Sequence, residues 1–314
     1  MDLVLLLQRI FDTLLNGAIY SSLAIALAII VRSTGLLNFA QGEMATFSAY
    51  VAFVLLSGAA PGLTGGTVAA WLGGPLSVPS AIVGAVVFGI AAGGVTERVL
   101  IRPLRHAPEL AVVNVTVGLF LGLNSLTEQW WGTAPRAFPS VFPNQPDDYI
   151  DIVGARLRIS VVGTWITLLA LLALLVAALR WTRTGLAFRA VSSDRDSAEL
   201  SGIRSGSVLM YGWALAAGLG ALAAALSANV VVLEPKMMQR VLVYAFAAAT
   251  LGGLDSPKGA LVGGIVVALA QTLIPAYVPF IGYEVSVVPA LLAMVAVLLV
   301  RPYGLFGTRR NVRA

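Results

Sequence analysis

Eight apolar stretches, each close to the length a helix needs to cross a bilayer, constrain this chain more than any other feature. A spanning helix takes about 20 mostly apolar residues. The runs 10–31, 38–57, 79–99, 110–131, 160–180, 207–232, 259–275 and 284–300 meet or approach that length. A ninth run, 241–253, is shorter and ends in Gly252-Gly253. The eight longer runs, by their length, read as spanning helices. Only 11% of the 314 residues are charged, where a soluble domain carries about a quarter. The expected fold is an all-α integral membrane protein, a polytopic bundle of about eight to ten transmembrane helices, some short or broken. Residues 1–314 read as one membrane domain, because no loop is long enough to hold a soluble one.

Charge placement sets the expected topology. The formal charge is +5, but the basic residues lie in short loops beside apolar runs, which speaks for topology and against nucleic acid. Loops carrying Arg102 and Arg105, the stretch 182–206, and the tail with Arg301, Arg309, Arg310 and Arg313 are expected in the cytosol. The loops 58–78 and 132–158 are expected outside; the first has no charge and the second holds Asp147, Asp148 and Asp151. A cytosolic C-terminus then requires 241–253 to cross as well, as a broken helix packed inside protein. This arrangement puts 14 of the 20 Lys and Arg on the cytosolic side and the N-terminus outside. The first 17 residues lack a basic leader and a small-residue cleavage site, so they read as the start of a retained span. Trp130, Trp131 and Trp165 suit an outer interfacial belt, and Trp181 an inner one. Small residues four apart (Gly89 and Gly93, Gly118 and Gly122, Gly259 and Gly263, Ala217 with Ala221 and Ala225) are read as helix-packing ridges.

The most charge-dense stretch, 182–206, lies between two of the most apolar ones. Arg189, Arg195 and Arg204 alternate there with Asp194, Asp196 and Glu199. Ser193 followed by Asp196 reads as an acidic variant of the capping box, and Gly202 as the left-handed residue that stops a short helix. Such a helix, held between two spans, is a part that docks onto something in the cytosol; an ordinary solvated loop is the alternative.

Polar residues within spans are the next candidates, because unpaired polar groups are costly in hydrocarbon. Asn38, Gln41 and Glu43 form the strongest group, with Asn38 and Gln41 three apart on one helix face and Gly42 allowing close approach. They line a path for a polar solute, or else mark a helix N-terminus at the interface with Asn38 as its cap. Asn16, Asn114, Thr116 and Asn124 fit interhelical hydrogen bonds, and Glu128 and Gln129 the outer boundary. Asn114-Val115-Thr116 matches a glycosylation acceptor but lies inside a span. In 249–264, Gly252, Gly253, Asp255, Pro257 and Gly259 describe a sharp turn, either a hinge lining a cavity with unwound backbone or a tight helical hairpin.

Several chemistries are excluded by inventory. There are no cysteines and one histidine, His106, so thiol nucleophiles, Cys/His zinc sites and a Ser/His/Asp set at a GxSxG elbow have no basis. His106 reads as an exposed loop residue. No P-loop is present, so the chain does not hold ATP in that way. Carboxylates within spans are too few for a proton relay, and no arginine ladder marks a voltage sensor.

Four stretches together carry a family resemblance: Leu37-Asn38-Phe39-Ala40-Gln41-Gly42-Glu43; Arg102-Pro103-Leu104-Arg105; the 185–203 island; and 251–264 with the closing 301–307. In that order and spacing the chain resembles the inner-membrane permease subunits of bacterial ABC importers of the branched-chain amino-acid type, over nearly its whole length. The resemblance implies a coupling helix at about Asp194 to Ser201, seated in a groove of an ATP-hydrolysing subunit. Gly185, Arg189 and Ala190 lead into it, and Asp196, Ala198, Glu199, Leu200, Gly202 and Ile203 belong to the same element. It implies that ATP-driven closure tilts the spans and switches access from outside to inside. The partners implied are a second, related permease, two ATPase subunits and a soluble binding protein. ATP and Mg are then bound by the ATPase subunits, and this chain has no cofactor or metal of its own. The expected translocation path comprises Asn16, Asn38, Gln41, Gly42, Glu43, Asn114, Gly252, Gly253 and Gly259. Two residues depart from the family pattern: Gln41 stands where many relatives have histidine, and Lys258 where a neutral residue is usual. Relatives also carry urea, short amides and aromatic or organic acids. A proton- or sodium-driven secondary transporter is the rival reading, opposed by the shortage of buried carboxylates. A membrane-embedded enzyme is the other, opposed by the lack of a clustered acid, base or nucleophile.

Overall fold

The computed structural model describes residues 3–58, 74–105, 107–278 and 287–307. Along them run α1 (Leu3–Thr34), α2 (Gln41–Ser57), α3 (Val78–Thr96), α4 (Glu109–Trp131), strands β1 (Tyr149–Ile152) and β2 (Ala155–Arg158), then α5 (Ile159–Trp181). They continue with α6 (Arg183–Ser193), α7 (Arg195–Leu200), α8 (Ser205–Ser227), α9 (Met237–Gly252), α10 (Pro257–Tyr277) and α11 (Val287–Val300). Six helices are long and apolar enough to span: α1, α3 with its continuation to Leu104, α4, α5, α8 and α10. With the shorter α2, α9 and α11, each apolar run carries a helix over most of its described residues, and the all-α polytopic class holds.

The boundaries differ from expectation in instructive places. α2 begins at Gln41, so Asn38 precedes the helix and shares no helix face with Gln41. α8 ends at Ser227, five residues before the apolar run does. α9 is one continuous helix of 16 residues, not a broken one; the break follows it, at Gly253 with φ 108°. Residues 149–158, expected as plain loop, pair as an antiparallel hairpin with Tyr149 opposite Arg158 and Ile152 opposite Ala155. Its turn, Val153-Gly154, has positive φ at both residues, the geometry of a tight hairpin. His106, the tail arginines from 309 onward, most of the loop 58–78 and the start of the last run lie outside the described residues.

The chain divides into two compact units. One comprises 33–141 and 173–240, and its centre is α3 against α8 and α2. α3 is Gly-rich because α8 comes so close: a Cβ at Gly93 meets Trp213 O at 2.5 Å and Ala217 Cβ at 2.6 Å. The Gly89, Gly93, Ala217 and Ala221 ridges are thus packing ridges. Gly118 and Gly122 are different, since a Cβ at either meets nothing within 4 Å among the described residues. Trp131 also departs from the belt reading, being buried with its ring stacked 4.7 Å from that of Tyr50, whereas Trp130 and Trp181 are exposed.

The other unit comprises 1–32, 142–172 and 241–314. Within it Tyr20 stacks on Tyr244 at 4.7 Å and donates to Gln271 Oε1 at 2.6 Å. Ser21 Oγ donates to Leu261 O at 2.9 Å, and Trp165 Nε1 donates to Leu14 O at 2.9 Å.

Candidate functional site

Two polar assemblies stand out in the 33–141 and 173–240 unit. The first is the turn that starts α2. Asn38 Oδ1 accepts from the Ala40 amide at 3.0 Å, and Asn38 Nδ2 donates to Gln41 Oε1 at 3.2 Å. Gln41 Nε2 in turn donates to Ala216 O at 2.9 Å, and Ala216 is the central residue of the 23-residue α8. The turn therefore sits halfway along a spanning helix, with Asn38, Gln41 and Glu43 fully buried. It is a helix N-terminus, as one reading of the sequence had it, and it is buried against the middle of α8. No side chain caps it, so the positive end of α2 and two amide side chains meet inside the bundle. Glu43 Oε1 accepts from Gln239 Nε2 at 3.0 Å, while Oε2 is buried and has no hydrogen bond within 3.5 Å among the described residues. The Lys236 ammonium is engaged elsewhere, by Glu128 at 3.1 Å. Chemically this is a buried set of two side-chain amides and one carboxyl group.

The other path candidates scatter. Asn114 is exposed on α4 and Asn16 half-buried on α1. Thr116 bonds within its own helix, to Val113 O at 2.9 Å; Asn124 of α4 reaches the Pro235 carbonyl at 3.5 Å and also lies against the Glu43 carboxyl of α2, the kind of helix-to-helix contact expected of it. Gly252, Gly253 and Gly259 belong to the second unit. There the corner between α9 and α10 is the tight-hairpin alternative: Gly252 and Gly259 meet backbone to backbone, as do Gly263 and Ala248. Ser256 caps α10, accepting from the Gly259 amide at 3.1 Å. The 301–307 segment closes over the end of α9, its Leu305 and Phe306 amides donating to Leu251 O and Gly252 O at 2.9 Å each.

The second assembly is the 182–206 stretch, which folds into two helices, not one. α6 was not expected. Thr182 caps it, accepting from the Gly185 amide at 3.0 Å, and the Thr-x-x-Gly start is the signal that gives it away. Gly185 is buried with its Cα against the carbonyls of Ala178 and Leu179, so α6 folds directly back on the end of α5. Phe188 and Val191 form its buried side, Ala190 is half-buried, and Arg189 is exposed.

α7 lies within the span expected for the coupling helix. Its cap is Asp194, not Ser193: Asp194 Oδ1 accepts from the Ser197 amide at 3.1 Å, and Oδ2 from Ser197 Oγ at 2.6 Å. These two bonds, the side-chain one first, hold the Asp194 carboxyl below its ordinary range. Ser193 fails as cap because it is the last residue of α6. At the other end Gly202 has φ 82°, its amide donating to Glu199 O at 2.9 Å and the Ile203 amide to Ala198 O at 3.0 Å. That is the Schellman stop expected of Gly202. Ala198 is buried, while Asp196 and Glu199 face outward and Leu200, at the tip, is 90% exposed. Glu199 accepts from Ser205 Oγ and from Arg195 Nε at 3.2 Å, and these bonds, in that order, keep its carboxyl below the ordinary range. Among the described residues no group of three or more His, Cys, Asp or Glu is placed to hold a metal.

Comparison with known proteins bears on what carries these assemblies. The model of the family described as "Branched-chain amino acid transport system / permease component" matches residues 9–300. The chain is 31% identical over 304 residues to the high-affinity branched-chain amino acid transport system permease protein LivH of Escherichia coli K12, covering 96% of this chain and 95% of that one. It is 27% identical over 309 residues to the permease protein BraD of Pseudomonas aeruginosa, at 96% and 95% coverage. It is 29% identical over 306 residues to a probable branched-chain amino acid transport permease protein LivH of Methanocaldococcus jannaschii, at 94% and 92%. With the match running almost end to end and the spans where the sequence placed them, the chain belongs to the family of branched-chain amino acid transport system permease components.

Proposed function

We propose that this chain is the membrane-spanning permease subunit of an ATP-driven, binding-protein-dependent importer, moving branched-chain or related amino acids inward by alternating access. The family is one of transport permeases, not enzymes, and ATP hydrolysis belongs to separate subunits. The names of the relatives support the solute class; urea, short amides and organic acids are the other solutes considered. The importer is completed by a second permease, two ATPase subunits carrying ATP and Mg, and a soluble binding protein. The chain is a multi-pass protein of the inner membrane, with its N-terminus outside and its C-terminus in the cytosol.

The observation that carries the reading is α7: a six-residue helix capped at both ends, charged around its flanks, with Leu200 standing 90% exposed at its tip. A solvated loop has no reason to be stopped so firmly at both ends or to offer a bare leucine to water. On this reading α7 is the coupling helix, and Arg189, Asp194 and Asp196 form the polar rim of its contact. The α2 turn, with Asn38, Gln41, Gly42 and Glu43, lines the solute path; Asn16 and Asn114 are its remaining candidates. Binding at the outer face is left to the soluble protein, so the path itself need only be polar and weak.

Affinity capture through this chain from solubilised membranes provides the test. The wild type is expected to bring down a subunit with nucleotide-binding motifs in stoichiometric amount. Arg189→Glu is expected to be inserted normally but to lose that subunit on washing. A wild-type capture containing no ATP-binding chain, from cells that take up the amino acid, defeats the proposal.

A further inference from the structure

At the base of the coupling loop three elements are tied together by one guanidinium. α3 does not end as an ordinary helix. It continues into a π-helical turn, Glu97–Ile101, and a 3-10 turn, Arg102–Leu104, and π-turns within helices gather at functional sites. The turn closes with the Arg102 amide on Glu97 O, which brings side chains five residues apart onto the same side. Arg102 Nη2 donates to Glu97 Oε2 at 2.8 Å and Arg102 Nε to Oε1 at 3.3 Å, a two-point grip. Glu97 is only 1% exposed. The same Nη2 donates to the carbonyl of Gly206 at 2.7 Å, in the first turn of α8. The guanidinium lies over Gly206, where a Cβ would meet Arg102 Cζ at 3.3 Å.

One residue earlier, Ser205 donates its hydroxyl to Glu199 of α7. Glu199 thus holds the first residue of α8 and Arg102 holds the second. The contacts form one unbroken series: α7 through Glu199 to Ser205, the adjoining Gly206 carbonyl to Arg102, and Arg102 to the buried Glu97 of α3. α3 and α8 are in turn locked along their length by Gly93 against Trp213 and Ala217.

We propose that Glu97 and Arg102 are positioning residues for coupling: they transmit displacement of α7 to α3 and α8 together, so that the two helices tilt as one body. The proposal rests on the reading of α7 as the coupling helix. Arg102 has the rigid fork this task needs, because one planar group must hold two carboxylate oxygens and a carbonyl at fixed angles. A lysine keeps the charge beside Glu97 but has neither the reach nor the fixed geometry.

Arg102→Lys is the decisive variant, tested in the intact importer captured through this chain and reconstituted with its binding protein in proteoliposomes. The readout is solute transported per ATP hydrolysed, alongside the melting temperature of the complex. Arg102→Lys is expected to assemble and to hydrolyse ATP, but to transport about tenfold less solute per ATP, within the range of ordinary coupling energies. Glu97→Gln, which retains a hydrogen-bonding side chain of the same shape, is expected to fall between it and the wild type. If Arg102→Lys lowers the melting temperature and leaves the ratio unchanged, the pair is structural only and the proposal is overturned. Asp194→Arg serves as the companion control on the α7 surface. If it too leaves transport untouched, the docking reading itself has failed. If it uncouples while Arg102→Lys does not, only the transmission role is lost.

Discussion

Gly259→Ala is expected to leave almost no folded permease in the membrane. Gly259 and Gly252 face each other across the α9–α10 corner with nothing between their backbones, and a Cβ on either would overlap the other's carbonyl group. Backbone cannot swing aside as a side chain can, so relief requires the two helices to separate. That separation also breaks the contact of Gly263 with Ala248 one turn further along. A Cβ on Gly259 also meets Phe306 Cβ at 3.1 Å, which strains the bonds from the Leu305 and Phe306 amides to Leu251 O and Gly252 O. Overpacking in a core costs about 1–3 kcal/mol when side chains can adjust; here they cannot, and the loss is expected to exceed that range. Membrane abundance and the detergent melting profile measure it. Gly118→Ala is the control, because a Cβ there meets nothing within 4 Å among the described residues, and it is expected to accumulate normally. Equal abundance and melting of the two variants would refute the corner packing.

Leu200→Asp is expected to lower coupled uptake steeply while leaving the permease inserted and as stable as the wild type. Leu200 touches so little of its own chain, at 90% exposure, that removing it costs the fold almost nothing. Its value lies in what covers it. A large apolar side chain at the tip of a charged helix has the form of an interface anchor, an apolar centre inside a polar rim. Burying an aspartate in place of that anchor, without a partner, costs about 2 kcal/mol or more. At 1.4 kcal/mol per factor of ten, uptake in vesicles falls at least about tenfold. Leu200→Met keeps the anchor apolar and is expected to retain most activity, which separates loss of contact from general damage. Uptake by Leu200→Asp within a factor of two of wild type would show that the tip faces nothing.

How far these features were legible beforehand follows from the range of the interactions that make them. The spans were legible because hydrocarbon selects for about 20 apolar residues in a row, a property of the local sequence. α7 was legible for the same reason: its cap at Asp194 and its stop at Gly202 lie within nine residues. The cap itself was displaced by one residue, from Ser193 to Asp194, because α6 extends to Ser193 and leaves that residue helical.

The α2 turn was half legible. Its polar residues stood out in an apolar setting, but its depth is fixed by the bond from Gln41 to Ala216, 175 residues away. No local pattern carries that information. Glu43 likewise finds Gln239 across 196 residues. The Glu97–Arg102 grip was hidden for a different reason. Residues five apart do not share a face in an α-helix, and only the π-turn aligns them. The hairpin at 149–158 was concealed by Val153, a β-branched residue at φ 56°, where a turn signal normally shows asparagine or glycine. Small-residue ridges were legible as ridges, yet Gly93 and Gly118 carry the same signature and, among the described residues, only Gly93 is packed against a neighbour.

The chain contains no cysteine, so a single one can be placed at will, and the most direct measurement uses Leu200→Cys. In intact cells this thiol is expected to resist a membrane-impermeant maleimide added from outside. In inside-out vesicles it is expected to form a short-span crosslink to an ATP-binding subunit, with a yield that changes between nucleotide-free and ATP-trapped states. Labelling from the exterior, or full transport with the thiol free and uncrosslinked in both states, would contradict the account.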